Sequence, residues 1–328
     1  MKIKQLTKLA VLISVFIFFT ATLTACNAEG DDQSPIENAT DLQTAEPEDQ
    51  EISTEPLTEY ETYDPEEDLE TADPDYNQQG SEEQASESTL TQPPSSPEYI
   101  TVGGEQFSTE LAMLSLNGAI TNEDLVPLKY MTNLESLWLG GGPNSDPGQF
   151  SDISPIAGLT NLRDVALDSI YLSDLAPLAE LTNLTMIQAW GSQIADLSPL
   201  AELSNLDLLA IAGSNITDLS PISGLTNLTV LDLSFGQITD ITPLSGLTNL
   251  HRLNLDRNQI TDVSPLANLA NAGRSELEDL NLRENQISDI SPLADLVSLH
   301  TLWIMGNPIT DLSPVAHVDN VIFEAIAE

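Results

Sequence analysis

The chain has one cysteine, Cys26, in 328 residues. No intrachain disulfide can form, and no cysteine-rich metal site can be built. Bases are almost as scarce, nine Lys and Arg against 52 Asp and Glu, for a formal charge of −43. A chain so acidic repels phosphate backbones and anionic headgroups, which excludes nucleic acid and anionic lipid as partners recruited by bulk charge. The three histidines, His251, His300 and His317, stand in no nucleophile or metal-ligand pattern. Neither a phosphate-binding glycine loop nor a nucleophile elbow occurs. No cofactor and no metal are expected, and the chain is not expected to be an enzyme.

The few bases are unevenly placed. Residues 1–26 hold Lys2, Lys4 and Lys8 and no acid; residues 27–98 hold 23 acids and no base. After the first lysines comes an apolar stretch from Val11 to Phe19, then Leu23-Thr24-Ala25-Cys26. A basic start, an apolar middle and a small-residue end form a secretory signal over residues 1–25. Its end resembles a bacterial lipobox, in which the cysteine is lipidated and becomes the first residue of the mature chain. That implies a membrane contact through lipid alone, on the outer face of the bacterial cell membrane. Residues 26–98, rich in acids, Ser, Thr and Pro, hold too little apolar surface to offset chain entropy. They read as a disordered stalk rather than as a cation- or partner-binding tail.

Beyond residue 98 the chain repeats itself. Leu162, Leu184, Leu206, Leu228 and Leu250 recur every 22 residues and open one phrase. Counting each unit from that leucine, positions 1, 4, 6 and 11 are apolar. Position 13 is Asp in eight units (Asp152, Asp174, Asp196, Asp218, Asp240, Asp262, Asp289, Asp311). Position 16 is Pro in the same eight, from Pro155 to Pro314, usually after Ser. A fixed period of this length means a solenoid, because no unit buries its apolar face alone. Ser-Pro reads as a helix start with the hydroxyl as cap. Each unit is therefore a short strand, a turn and a brief helical turn. The fold class is α/β: a curved parallel sheet inside, 3-10 or helical turns outside, preceded by a disordered linker. Residues 99–133 form a cap and a degenerate first unit with Leu111, Leu114 and Leu116 as its strand, and residues 134–328 form the repeat domain. At the other end the edge of the ladder is Val318 to Phe323, and Glu324 falls where a leucine is due and stops it.

Period, Asp and Pro columns and the phrase Leu-Thr-Asn-Leu (Leu159–Leu162, Leu181–Leu184, Leu225–Leu228, Leu247–Leu250) resemble the 22-residue leucine-rich repeats of internalin-type bacterial surface proteins. The resemblance covers about residues 107–320. It implies a protein partner bound on the concave strand face. The Asn that this pattern places at position 9 stands only at Asn258, Asn285 and Asn307.

Positions 2, 3, 5, 7 and 8 point onto that face, and function is sought there. Trp138 and Trp303 (position 5) and Trp190 (position 7) are the only tryptophans. With Met113, Met186, Leu208 and Val230 at position 3 and Phe235 at position 8, they are expected to form an exposed apolar patch, the usual mark of a protein interface. Arg252, Arg257 and Arg283 lie on the same face. Each has an acid in the next unit or the one before, as does Arg163 beside Glu135. They contact either a ligand or these acids in ion-pair ladders. The Asp column is read as turn-capping rather than calcium-binding. The expected function is non-catalytic recognition of a protein by a monomeric, lipid-anchored surface protein; the alternative is an envelope glycan stacked on the tryptophans.

Cys26→Ala should release the protein into the medium or leave its precursor unprocessed. An alanine variant that still partitions into detergent and migrates like the parent would refute the lipid anchor.

Overall fold

The computed structural model of the protein describes residues 96–140, 148–270 and 276–323. The expected signal, Cys26 and nearly all of the acidic stalk lie outside them. Strands β1 (Tyr99–Val102) and β2 (Glu105–Ser108) pair antiparallel around Gly103 and Gly104. Both glycines have positive φ, as a two-residue hairpin turn requires. Asp124, in the short helix Asn122–Leu125, accepts the Gly103 N–H at 3.0 Å and the Thr121 N–H and hydroxyl at 3.0 and 2.8 Å. One carboxylate thus starts the helix and holds the hairpin.

Ten parallel strands follow in strict sequence order. They are β3 (Met113–Leu116), β4 (Ser136–Leu139), β5 (Asp164–Leu167), β6 (Met186–Gln188), β7 (Leu208–Ala210), β8 (Val230–Asp232), β9 (Arg252–Asn254), β10 (Asp279–Asn281), β11 (Thr301–Trp303) and β12 (Asn320–Ile322). Each pairs only with its neighbours in the chain, which is the topology of a solenoid. Leu111, expected in the first of these strands, lies before it and is exposed.

Between strands the chain returns through 3-10 turns such as Ser198–Leu200 and Ser220–Ile222. Strand leucines (Leu209, Leu231, Leu253) and turn residues (Leu200, Ile222, Leu244) are all fully buried in one continuous core. Neighbouring strands sit about 4.8 Å apart. As in leucine-rich repeat solenoids generally, the strand face is the inside of the curve and the 3-10 turns its outside.

Hydrogen bonds along the repeat explain its fixed letters. Each of the eight position-13 aspartates accepts the backbone N–H two residues on, at 2.7–2.8 Å. The serine hydroxyl does not cap, contrary to the sequence expectation. It is the first residue of the turn, and at Ser198, Ser220 and Ser264 it donates to that aspartate instead. The Asn of Leu-Thr-Asn-Leu is a rung between units: Asn183, Asn227 and Asn249 donate to the carbonyls of Thr160, Ser204 and Thr226. Asn258, Asn285 and Asn307 are buried rungs on the other side of the strands, each accepting an N–H of the preceding unit at 3.0 Å.

The last unit is three residues short. Thr301 pairs with Asn320, 19 residues on, so Val321 stands opposite Leu302 and takes the leucine's place. The strand β12 thus falls within the expected edge, 318–323, but in a register that a strict 22-residue count does not give.

Asp218→Ala, in a central unit, should lower Tm by about 2–4 °C through loss of one cap. The drop should be equal with calcium and with chelator. A calcium-dependent rise in Tm that this substitution abolishes would favour metal over capping.

Candidate functional site

The register sets the candidate residues side by side on one sheet. Met186, Leu208, Val230, Arg252 and Asp279 follow one another across β6–β10, as do Gln188, Ala210, Asp232, Asn254 and Asn281. Trp138 lies on β4 and Trp303 on β11; Trp190, Phe235, Arg257 and Arg283 follow strands.

Met186, Leu208 and Val230 are buried at 6–7% exposure, not exposed as the sequence suggests. The reason is the strand spacing: at about 4.8 Å, side chains in one column cover each other on both flanks. With Ala210 and Ala212 beside them they make a smooth apolar floor. Trp303 is likewise buried, at 9%. Trp138 and Trp190 are half-buried, and the Trp190 backbone N–H donates to Asp168 at 3.2 Å. Of the expected patch, Phe235 and Met113 are freely exposed, at 41% and 43%, and Met113 lies on the edge strand β3, away from the central units.

Phe235 also stands on unusual backbone. At position 8 the N–H donates to the carbonyl of the seventh residue one unit on: Gly191 to Ala212, Gly213 to Ser234, Phe235 to Asp256, Arg257 to Arg283, Glu284 to Met305. That bond holds the chain in a left-handed turn. Gly191, Gly213 and Gly306 take it at φ +65°, +72° and +72°; Phe235, Arg257 and Glu284 take it at +59°, +54° and +48°. A side chain there costs roughly 1–2 kcal/mol, which glycine avoids.

The arginines divide. Arg252 pairs with Asp279 at 3.2 Å, and Arg163 approaches Glu135 at 3.9 Å with both side chains half exposed. Arg283 is buried at 4% and acts electrostatically on Asp256. Arg257 does not pair with Glu284, as the column suggests; its guanidinium stacks over Phe235, 5.3 Å from the ring centroid.

Asp232, which spacing does not single out, and Asp256, expected only as the acid beside Arg283, are both buried. Asp232 accepts the Ser234 N–H and hydroxyl at 3.0 and 2.7 Å and the Asn254 amide at 3.1 Å. Burial still raises it above the ordinary carboxylate range. Asp256, 2% exposed, has a buried Oδ1 that accepts no hydrogen bond. Burial pushes it up to about 6, against the pull of Arg283 and Arg257. Their strand positions, 5 and 7, were the available signal. Among the described residues no group of three His, Cys, Asp or Glu is placed to hold a metal, and no helix is long and apolar enough to cross a membrane.

The family model "Leucine Rich repeats (2 copies)" matches residues 204–246, 226–268 and 275–317. The chain is 31% identical to an internalin C2 of Listeria monocytogenes, over 67% of this chain and 86% of that one, with a TM-score of 0.47. It is a leucine-rich repeat protein. A second L. monocytogenes internalin is 26% identical over 69% of this chain and 91% of its own, TM-score 0.45. A leucine-rich repeat protein of Leptospira interrogans shares the fold at 20% identity, over 63% of this chain and 59% of its own, TM-score 0.50. No curated protein matches the sequence.

The two sets of acids give this leucine-rich repeat protein opposite responses to pH. An unfolded aspartate titrates near ~3.9. Asp256 and Asp232 titrate higher when folded, so between about pH 6 and 4 the folded chain holds protons that the unfolded chain has lost, and stability rises on acidification. The capping aspartates Asp152, Asp196, Asp240, Asp289 and Asp311 titrate lower when folded, because they accept hydrogen bonds from Ser or Thr two residues on. Their contribution is lost as pH falls below about 4. Urea unfolding across pH 3–8 should show a maximum near pH 4–5. Asp256→Asn should raise stability at pH 7 and flatten the limb between pH 5 and 7. An unchanged slope there would remove Asp256 as its source.

Proposed function

We propose that this protein is a bacterial cell-surface lipoprotein that recognises a protein partner on the concave strand face of its solenoid, without catalysis and as a monomer. Cys26 carries the lipid and the acidic segment acts as spacer. Leucine-rich solenoids offer extended concave surfaces suited to such binding. The observation that carries the reading is Phe235. It is an exposed aromatic held on a left-handed turn that glycine fills in other units, beside an apolar floor of Leu208, Val230 and Ala212. Nothing in the core needs that ring.

Protein is favoured over envelope glycan because sugar stacking needs open ring faces. Trp303 is buried, and Trp138 and Trp190 are half covered. A flat apolar floor with one projecting aromatic suits a protein surface better.

A partner is to be captured from envelope and extracellular extracts, and its affinity measured against variants. Trp190→Ala and Phe235→Gly should each weaken binding about thirtyfold or more, as central anchors do. Glu180→Ala and Glu202→Ala, on the opposite face, should leave it intact. Phe235→Gly should keep Tm at or above the parent value. Binding that survives both strand-face substitutions would overturn the reading, and binding of purified wall glycan lost in the same variants would replace the partner class.

A further inference from the structure

Phe235, Arg257 and Glu284 form one row along the rim of the strand face, in three consecutive units. All three are exposed, and all three take the left-handed turn that glycine takes at 191, 213 and 306. Bulky residues rarely adopt that backbone. Where it persists, an outlier points to a use for the side chain. Three in succession, with glycine available in the same column, point to a use for the row.

The side chains of the row part in the middle. Arg257 leans back over the Phe235 ring, at 5.3 Å. Glu284 leans forward: a Cβ built on Gly306 would meet its carboxylate at 2.8 Å. Arg257 and Glu284 do not reach ion-pair distance, although strand register makes them neighbours. The guanidinium therefore lies over an aromatic ring, while among the described residues its N–H edge reaches no carboxylate at ion-pair distance; the buried Asp256 feels its charge without that contact. Stacking leaves the in-plane donors in place, and those donors match a carboxylate in a two-bond fork. It also fixes the side chain beforehand, so less freedom is lost on binding.

We infer that Phe235 and Arg257 form a recognition pair for a carboxylate on the partner, an Asp or Glu side chain with an apolar neighbour that rests on the Phe235 ring. The inference rests on the strand-face reading and adds the chemistry of what is read there. A bare inorganic anion fits less well, since it gains nothing from the ring. A doubly charged phosphate also meets stronger repulsion from a chain of net charge −43.

The chain has five arginines, so a spectrum of Nε-labelled arginine is simple, and Arg257→Gln assigns the signal. The full chain is to be titrated with acetylated, amidated Phe-Glu, with capped Phe-Gln, and with inorganic phosphate at matched ionic strength. Capped Phe-Glu should move the Arg257 Nε–H signal saturably, at least tenfold more tightly than capped Phe-Gln or phosphate. Phe235→Gly should weaken that response, and Arg257→Gly should leave Tm unchanged or raised. The pair is refuted by the absence of a saturable shift, by equal responses to the Glu and Gln peptides, by phosphate binding as tightly as the acidic peptide, or by a Tm that falls in Arg257→Gly. Partner binding lost in Trp190→Ala but intact in Arg257→Gln would overturn the pair and leave the strand-face reading standing. Binding intact in both variants and in Phe235→Gly would overturn the strand-face reading itself.

Discussion

Each unit presents leucines on two flanks, and only another unit covers them. Leu209 of β7 is sealed by Ile187 on one side and Leu231 on the other, all at the same level of the sheet. This mutual burial sets the period, because a unit of the wrong length would slide its leucines out of line. It also shows where length can vary. From Leu137 to Val165 the step is 28 residues and from Leu253 to Leu280 it is 27, yet both pairs stand in register. The extra residues fall in sequence between paired strands, and the strands keep their register despite them.

Stacking fixes the outer side chains as firmly as the inner ones. Any residue on the strand face has a partner of the same position about 4.8 Å away on each side. A run of like residues therefore buries itself, as Met186, Leu208 and Val230 do. A run of unlike charges neutralises itself, as Arg252 and Asp279 do at 3.2 Å. What such columns leave for a partner is whatever stands at their ends or projects above them. In the central units of this face that is the ring of Phe235 and the guanidinium upon it, next to a floor already closed to water.

The core was legible in the sequence because it depends only on spacing: leucine columns, parallel strands and aspartate caps all follow from the 22-residue count. The left-handed column was legible too, since Gly191, Gly213 and Gly306 share position 8, and that implies positive φ for Phe235, Arg257 and Glu284. Other features depend on side-chain torsions, which spacing does not determine. Neighbouring columns suggest Arg257 with Glu284, but the arginine turns to the ring. A serine before proline suggests a cap, but the serine is itself the first residue of the turn, and its own N–H and hydroxyl donate to the aspartate two residues earlier. The short last unit defeated counting because Val321 keeps the apolar pattern while arriving three residues early.

The energetics of the rim bear on why the row exists. Three left-handed side chains cost roughly 1–2 kcal/mol each, a sizeable part of the ~5–15 kcal/mol that separates most folded domains from unfolding. The stacked pair returns little of this, since an exposed cation–ring contact contributes about 0.5–1 kcal/mol. Asp256 adds a further cost at neutral pH, because its charge is buried with one oxygen unsatisfied. Strain and buried charge thus fall together on the units of β8 to β10, while the units of β6 and β7 carry glycine in the same column. Packing does not call for this concentration, since the neighbouring units close their core without it. Selection for stability alone would put glycine at 235, 257 and 284, so side chains at those positions mark the part of the solenoid shaped by contact with something else.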